Sequence, residues 1–415
     1  MISYCRRYWK CFVWAACALA AACGLIWLSR SGTGFAQWYA EYLFPFFPNT
    51  IGRLLSPLPF SVYEWVLYAL PLGLLCFLAV LVWNLFHCRQ KAKKMLSGFF
   101  RLLLCAGPAV FLMLTLTCTI NYGRTPFGEL AGYEVRDSSV AELEQLCEEL
   151  AAQANEYASR IPQNGEGGLS LETVDIKGQA RAAMTGLGKQ YPSLSGYYPT
   201  PKGVAFSWGM SHLRLTGMFS PFTIEANYNR DIPDYEIPYT ICHELAHLKG
   251  WIREDEAGFI AYLACRESQE PALQYSGTLN ALSYAMNALY GAGRRESYVR
   301  IYDSLPEQAK RDYRVSNRYW KQFETKVAEV STSLNDHYLK ANAQSDGVQS
   351  YGRMVDLLLA DYRAYCDAER RMAEAYENRE GWNRMSLRNI ARSGIFAADR
   401  AVAEYADNIW HVPHR

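Results

Sequence analysis

The chain has 415 residues, and its 42 Lys and Arg residues nearly balance its 41 Asp and Glu residues, which gives a formal net charge of +1. This balance, together with the lack of a basic stripe after the apolar N-terminal part, argues against a nucleic-acid partner. The length is enough for a membrane portion and one substantial globular domain.

Three apolar stretches open the chain, at residues 11–28, 62–86 and 102–120. Each has about the 20 residues that a transmembrane helix needs. Basic residues precede the first stretch and separate the second from the third, namely Arg6, Arg7 and Lys10, then Arg89, Lys91, Lys93, Lys94 and Arg101. Because cytoplasmic segments carry the excess of Lys and Arg, we predict a cytoplasmic N terminus and an extracytoplasmic chain after residue 121. Residues 1–121 are thus predicted to anchor the protein in the lipid bilayer of the cell membrane by three helices.

The loop between the first and second apolar stretches is rich in aromatic residues, from Trp38 to Phe47 and again at Phe60. Aromatic side chains favour the interface between membrane and water. We therefore expect this loop to rest on the outer surface of the bilayer.

Residues 122–415 are predicted to form a mainly helical α+β domain with a small sheet. A capping box formed by Ser139 and Glu142 begins the first helix. Aromatic and β-branched residues separated by glycines predict short strands between residues 204 and 228. The region 204–266 contains the candidate site, and 267–415 reads as a helical C-terminal part. The segment 219–229 is either an edge strand that holds extended substrate or a hairpin that closes the core.

Residues 241–248 contain the motif His-Glu-x-x-His in an apolar frame. Residues four apart share one face of a helix, so His243 and His247 can direct two imidazoles at one metal ion. Glu244 is next to a ligand without being one. That is the position of a general base acting on a metal-bound water, as in zinc peptidases.

Helix signals flank the motif on both sides. Pro238 suits a first helical turn and Gly250 a helix end, so we predict a helix from about Pro238 to Lys249. A second helix is predicted from Arg253 to Cys265, and it should fold back on the first. The two helices then face each other across the motif.

A zinc hydrolase needs a third protein ligand and one open position for water. The second helix begins with the acids Glu254, Asp255 and Glu256. Glu254 shares a helix face with small residues, which lets that face approach the first helix closely. These residues are Ala257, Gly258, Ala261 and Cys265. We predict Glu254 as the third ligand, with Glu256, on a bulkier face, as the alternative.

Two cysteines also lie on these helices, Cys242 on the first and Cys265 on the second. The cysteine spacings along the chain are not those of a disulfide scaffold. The pair either forms one disulfide under oxidising conditions or provides two small buried side chains.

The H-E-x-x-H motif followed by Glu254-x-x-Ala257 resembles the Glu-zincin pattern, in which the Glu of an E-x-x-A segment is the third zinc ligand. Glu-zincins often have Asn or Asp after that Ala, whereas this chain has Gly258. The whole layout, including residues 121–124 and 221–227, is similar to an uncharacterised bacterial family of membrane proteins with an H-E-x-x-H ectodomain. The resemblance implies a zincin-like fold and Zn²⁺ as the metal.

The predicted function is that of a membrane-anchored zinc metallopeptidase, whose substrates are extracytoplasmic proteins or peptides. His243, His247 and Glu254 hold Zn²⁺, and Glu244 takes a proton from the metal-bound water as it attacks the peptide carbonyl. One alternative is a non-catalytic, metal-dependent sensor or binding protein of the membrane. Another is a structural membrane protein with an accidental motif. The same ligands also suit non-haem iron, so the sequence alone leaves the metal open.

Overall fold

The structure is a computed structural model of the chain, and it describes residues 2–165, 167–342, 344, 346–396 and 398–405. It contains two compact units, Met1–Leu359 and Ala360–Arg415. The first unit contains the membrane helices, the sheet and every predicted site residue. The last ten residues of the predicted C-terminal part lie outside the described residues, and the predicted division at residue 121 stays a prediction.

The described residues are mostly helical with one small sheet, which confirms the predicted mainly α fold. In chain order the helices are α1 (Ile2–Arg30), α2 (Phe35–Tyr42), α3 (Arg53–Leu55), α4 (Val62–His87), α5 (Arg89–Thr117), α6 (Phe127–Leu130), α7 (Val140–Ala158), α8 (Ile176–Gln190), α9 (Ser207–His212), α10 (Ile237–His247), α11 (Glu254–Arg266), α12 (Pro271–Gly291), α13 (Arg295–Ser304), α14 (Glu307–Lys321), α15 (Lys326–Ala341), α16 (Met354–Glu377), α17 (Arg379–Arg392) and α18 (Ala398–Tyr405). The strands are β1 (Lys202–Gly203), β2 (Gly217–Ser220) and β3 (Glu225–Tyr228). Two 3₁₀ turns matter for the site, Thr119–Gly123 and Gly347–Arg353.

Among the described residues, three helical segments are long and apolar enough to cross a membrane, namely Tyr8–Arg30, Val62–His87 and Arg89–Gly123. They contain the three predicted spans. Helix α5 begins earlier than predicted, because the basic residues from Arg89 onward belong to the same continuous helix. Most of the apolar side chains on these segments face outward, as expected of helices that contact lipid. The orientation across the membrane stays a prediction.

The aromatic loop after α1 divides into a buried and an exposed part. Tyr39 and Phe44 are buried with Ile120 in a small cluster beside the C-terminal ends of α1 and α5. The hydroxyl of Tyr39 donates to the carbonyl of Leu116, 2.7 Å away, which fixes the loop to α5. The exposed part, free to contact the membrane surface, includes Trp38, Tyr42 and Phe46.

Helices α10, α11 and α12 form the centre of the globular part. Helix α7 begins with the predicted capping box, in which Ser139 and Glu142 each accept a hydrogen bond from the other's backbone. It packs against α12, while α8 packs against α10 and α11. Nearly every residue of α10 and α11 is buried. Their ionisable side chains therefore need partners inside the protein.

The sheet has the strand order β1-β3-β2, with β3 parallel to β1 and antiparallel to β2. The central strand β3 is buried, whereas β2 is half-buried and lies at the edge, beside α10. The strands predicted between residues 204 and 228 are found in part, because Ser207–His212 is helical. The segment 219–229 contains the end of β2, a turn and β3. Most of the predicted edge strand is therefore the central strand β3, and the edge strand beside α10 is β2, Gly217–Ser220.

Hydrogen bonds join this sheet region to the first turn of α4. Glu225, in β3, accepts from the first two backbone N–H groups of α4 at 3.0 and 2.9 Å. In return Glu64, in that first turn, accepts from the backbone N–H groups of Ala205 and Phe206 at 2.9 and 2.8 Å. A carboxylate is favourable at a helix N terminus, where backbone N–H groups lack partners. The sheet is therefore fixed to the end of a membrane helix.

Candidate metal centre

Helix α10 carries the motif and ends close to the predicted position. Pro238 lies in its first turn, and the helix ends at His247, two residues before the predicted end. Gly250 has a φ of +77°, and a Cβ there would lie 3.2 Å from the side chain of Asn121. Position 250 therefore requires glycine for two reasons, namely its left-handed backbone conformation and the close approach of the turn that follows α5.

Helix α11 packs on α10 through the face of small residues predicted from the sequence. Three of these residues are completely buried, namely Ala257, Ala261 and Cys265. A Cβ on Gly258 would lie 2.9 Å from the hydroxyl of Tyr239 and 3.1 Å from the sulfur of Met354. This crowding favours glycine at position 258, because a larger side chain would require these neighbours to move.

The packing of α11 on α10 brings three candidate ligands together. The Nε2 atom of His243 lies 3.0 Å from Oε2 of Glu254, and Nε2 of His247 lies 3.6 Å from the same oxygen. The three ligand atoms all lie within 4.8 Å of one another. Ligand atoms about 2.1 Å from a tetrahedral zinc ion are about 3.4 Å apart, so the two distances to Glu254 are close to those of a zinc site.

The environment of His247 fixes which of its nitrogens faces Glu254. Its Nδ1 lies 2.7 Å from the carbonyl oxygen of Trp251 and donates to it. The other nitrogen, Nε2, is then left for a metal, and a carbonyl partner of this kind is usual behind a metal-binding histidine.

The electrostatics of the group favour a cation. Burial by itself would raise the pKa of Glu254, but the two histidines outweigh it and hold that pKa below its ordinary value. Burial lowers the pKa of His243. Burial also disfavours the charged form of His247, but Glu254 outweighs it and raises that pKa to about 9. One ionised carboxylate is thus held between two imidazoles, a donor set that suits a divalent metal.

The alternative ligand Glu256 is engaged elsewhere. Its Oε1 accepts from the backbone N–H of Phe127 at 2.8 Å, and its Oε2 lies 3.9 Å from the guanidinium of Arg253. Burial raises the pKa of Glu256 to about 7. The third acid, Asp255, is also engaged elsewhere, because its Oδ2 lies 3.3 Å from the guanidinium nitrogen Nη2 of Arg253. Of the three acids that begin α11, Glu254 alone joins the histidines in this group.

Glu244 packs against the edge strand β2. The backbone N–H of Phe219 donates to its carboxylate, and its Oε2 has no hydrogen-bond partner among the described residues. Burial raises the pKa of Glu244 to about 8, and the negative charge of Glu254 acts in the same direction. Gly217 provides the necessary space, since a Cβ there would lie 2.7 Å from Cγ of Glu244. A buried carboxyl group with a pKa near neutrality suits proton transfer.

The candidate ligands and Glu244 line a cavity of about 550 Å³. Strand β2 and the residues before it form part of its wall. Five tyrosines also line it, namely Tyr122, Tyr239, Tyr284, Tyr338 and Tyr351. Because Tyr122 lies in the turn that follows α5, the cavity adjoins the end of a membrane-spanning segment.

Several of these cavity residues could not be found by reading the motif. Tyr284 in α12 and Tyr338 in α15 come well after the histidines in the chain, and no sequence pattern connects them to the motif. The sequence does not distinguish Gly217 from the other glycines among the 29 in the chain. The sequence did draw attention to Tyr122, because residues 121–124 are among those that resemble the bacterial membrane-protein family described above.

Cys242 and Cys265 lie side by side where α10 and α11 meet, and both are free thiols. Burial raises the pKa of the Cys265 thiol well above its ordinary value, and a hydrogen bond with Cys242 adds to this. Neutral, buried thiols of this kind act as small packing residues.

Comparison with curated proteins finds short similarities to phosphorylases. The chain is 45% identical over 56 residues to glycogen phosphorylase of Synechocystis sp., which is 14% of this chain and 7% of that protein. It is 47% identical over 55 residues to the liver form of glycogen phosphorylase of Homo sapiens, or 13% of this chain and 6% of that protein. The chain thus spans less than a tenth of the length of these relatives, and so short a segment transfers no activity. No solved structure matches this one significantly.

A family description matches far more of the chain. The family called "Protein of unknown function (DUF3810)" matches residues 39–359. This range includes α4, α5, the sheet, both helices of the candidate metal centre and the tyrosines around it. The chain therefore belongs to the DUF3810 family.

Proposed function

We propose that this protein is a membrane-anchored zinc metallopeptidase that hydrolyses peptide bonds of extracytoplasmic proteins or peptides. The observation that carries the proposal is the convergence of three ligand atoms in the same cavity as the buried carboxylate of Glu244. The resemblance of the motif and of Glu254-x-x-Ala257 to the Glu-zincins supports the same chemistry.

His243, His247 and Glu254 are the residues that would hold the zinc ion. When bound, zinc lowers the pKa of a water molecule toward neutrality and polarises a carbonyl group. Within the described part of the chain, no fourth His, Cys, Asp or Glu belongs to this group. Three protein ligands leave one position open, as in catalytic zinc sites, whereas structural zinc sites are closed by a fourth.

Glu244 is the residue proposed to move the proton. Its Oε2 has no hydrogen-bond partner among the described residues, so it can accept a proton from a water that attacks the peptide carbonyl. Burial stabilises the neutral carboxyl group that results. The same group then gives the proton to the departing nitrogen, which completes hydrolysis.

The edge strand β2 is proposed to hold the substrate in an extended conformation. The backbone N–H of Asn229 donates to the carbonyl of Thr216. In an antiparallel pair of strands, residue pairs with and without backbone hydrogen bonds alternate, so the next pair along β2 and β3, Gly217 with Tyr228, is not hydrogen-bonded. The backbone groups of Gly217 and Phe219 therefore point away from β3. The two carbonyl groups and the N–H of Gly217 are available to a peptide added as a further strand beside Glu244.

The predicted orientation places this site outside the cytoplasm. Five basic residues between the second and third apolar stretches favour a cytoplasmic position for that connection. The opposite ends of α4 and α5 then lie outside, and these are the ends that adjoin the sheet and the cavity. Substrates would accordingly be extracytoplasmic.

The Glu244→Gln variant of the full-length protein tests the proposal. Gln keeps the size of the side chain but cannot accept the proton, so we expect normal zinc content and loss of peptide hydrolysis. Both are measured on detergent-purified protein, with metal analysis and a library of fluorogenic peptides. Glu256→Gln is the matched control, because it changes a buried carboxyl group of α11 outside the metal group, and it should keep both properties.

Hydrolysis at the wild-type rate by Glu244→Gln would contradict the mechanism. Zinc bound by the wild-type protein without hydrolysis of any library peptide would instead favour a metal-dependent sensor.

A further inference from the structure

A pair of large aromatic side chains is exposed at the start of α9. Phe206 is 51% and Trp208 is 58% exposed, and their rings lie 5.7 Å apart. We call these two residues the aromatic patch. Two adjacent exposed aromatic rings form a small apolar surface, and aromatic rings favour the interface between membrane and water.

The aromatic patch is fixed to the first turn of the membrane helix α4. The backbone N–H of Phe206 donates to Glu64, 2.8 Å away, and its neighbour Ala205 donates to the same carboxylate. Glu64 is 6% exposed, so these bonds are shielded from water. The patch therefore lies at the same depth as the first turn of α4.

The length of α4 defines that depth. Its 26 residues, with a rise of about 1.5 Å per residue, span about 39 Å, compared with about 30 Å for the hydrocarbon core of a bilayer. A helix centred in the core thus projects about 4–5 Å at each end. Glu64 is the third residue of the helix, so it lies within the head-group region, and Phe206 lies beside it.

Aromatic side chains of α4 and of the loop before it are exposed close to this level. Phe60 and Trp65 are 43% and 59% exposed, and their rings are 6.2 Å apart. Aromatic rings concentrate at the interface of a membrane because one side contacts lipid and the other water. The aromatic patch continues this belt from the membrane helix onto the globular part.

We propose that the aromatic patch, Phe206 and Trp208, inserts into the head-group region of the bilayer beside α4 and holds the globular part against the membrane surface. The occupant of this surface is lipid, because the patch is bonded to a helix that lipid surrounds. The docking itself needs neither zinc nor substrate.

Docking at this point has a consequence for substrates, and that consequence rests on the proposed function. Helix α9 leads directly into residues 213–219, which line the metal cavity. The cavity also adjoins the turn after α5. Its edge strand is therefore held close to the bilayer, and the favoured substrates are polypeptide segments at the membrane surface, such as those next to a lipid or transmembrane anchor.

Fluorine NMR on full-length protein labelled with 5-fluorotryptophan, in lipid nanodiscs, tests the docking. The signal of Trp208 among the 11 tryptophans is assigned from the Trp208→Phe variant. A lipid with a spin label near its head group should broaden Trp208 as strongly as Trp65, which serves as the membrane reference. A water-soluble gadolinium chelate should broaden the Trp208 signal much less than it broadens the signal of trifluoroacetate, which is dissolved in the buffer as the reference for full exposure to water.

A Trp208 signal broadened by the water-soluble reagent and not by the labelled lipid, or by neither, would overturn the docking. Because the measurement uses no metal and no substrate, it succeeds or fails independently of the peptidase proposal. The substrate consequence is tested by cleavage of one peptide, either free or attached to a vesicle lipid. The ratio of attached to free cleavage should exceed one and should fall in the variant with Phe206→Ser and Trp208→Ser. An equal ratio in both proteins would contradict the consequence.

Discussion

Replacing Gly217 by Ala tests whether catalysis depends on the position of the Glu244 carboxylate. The new Cβ would lie 2.7 Å from Cγ and 2.8 Å from Cδ of Glu244, whereas ordinary contacts begin at 3.4 Å. The carboxylate must therefore move by about 0.7 Å inside a closely packed site. A displacement of about 1 Å costs a catalytic group roughly 100-fold in rate, so we expect kcat/KM to fall roughly 30- to 100-fold. Zinc content should not change, because the atoms nearest to the new Cβ belong to Glu244.

The assay compares full-length variants on a library peptide that the wild-type protein cleaves and Glu244→Gln does not. Gly186→Ala is the matched control, because a Cβ at this position in α8 meets no atom within 4 Å. It should leave hydrolysis unchanged and add up to about 1 kcal/mol of stability, since Ala favours helix more than Gly does. Wild-type kcat/KM in a Gly217→Ala protein of normal zinc content would refute the role given to the Glu244 carboxylate.

Three further variants test other parts of the structure. Glu254→Gln should weaken zinc binding by more than the roughly 10- to 100-fold loss that is typical of an outer-shell partner, whereas Glu256→Gln should leave zinc affinity unchanged. Competition with a zinc chelator measures both affinities, and equal affinities of the two variants would contradict the ligand assignment. Burial raises the pKa of Asp312 to about 6, above its unfolded value, so the native state binds this proton more tightly than the unfolded state does. The free energy of unfolding should therefore fall by about 2 kcal/mol as the pH rises from about 4 to 6, relative to Asp312→Asn. Chemical unfolding at a series of pH values checks this, and identical slopes for the two proteins would contradict it. Glu225→Gln removes the negative charge at the N terminus of α4 and should cost about 1 kcal/mol, which lowers Tm without loss of zinc; an unchanged Tm would show that the contact is not stabilising.

The helix that carries the motif was the part most accessible to sequence reasoning. The spacing of His243 and His247, the proline before them and Gly250 after them are local signals, and each acts within one or two helical turns. The choice of Glu254 over Glu256 also followed from a local property, the small residues on one face of α11. These features depend on geometry that neighbouring residues determine.

The remainder of the cavity depends on contacts between distant parts of the chain. Tyr338 and Tyr351 reach the cavity through the packing of α15 and the turn that follows it, and Gly217 matters because β2 lies against Glu244. The strand prediction missed α9, whose aromatic residues suggested a β-strand when read without their tertiary partners. The bond from Phe206 to Glu64 joins residues that are 142 apart, and no periodicity in the sequence predicts such a pair.

The most direct test of the metal centre is the zinc content of the full-length protein purified in detergent, measured beside its His243→Ala variant. We expect about one zinc ion per wild-type chain and loss of that zinc in the variant, because His243 provides one of three ligands. A folded wild-type protein that binds no metal after zinc is supplied, or a variant that keeps its zinc, would contradict the proposed site.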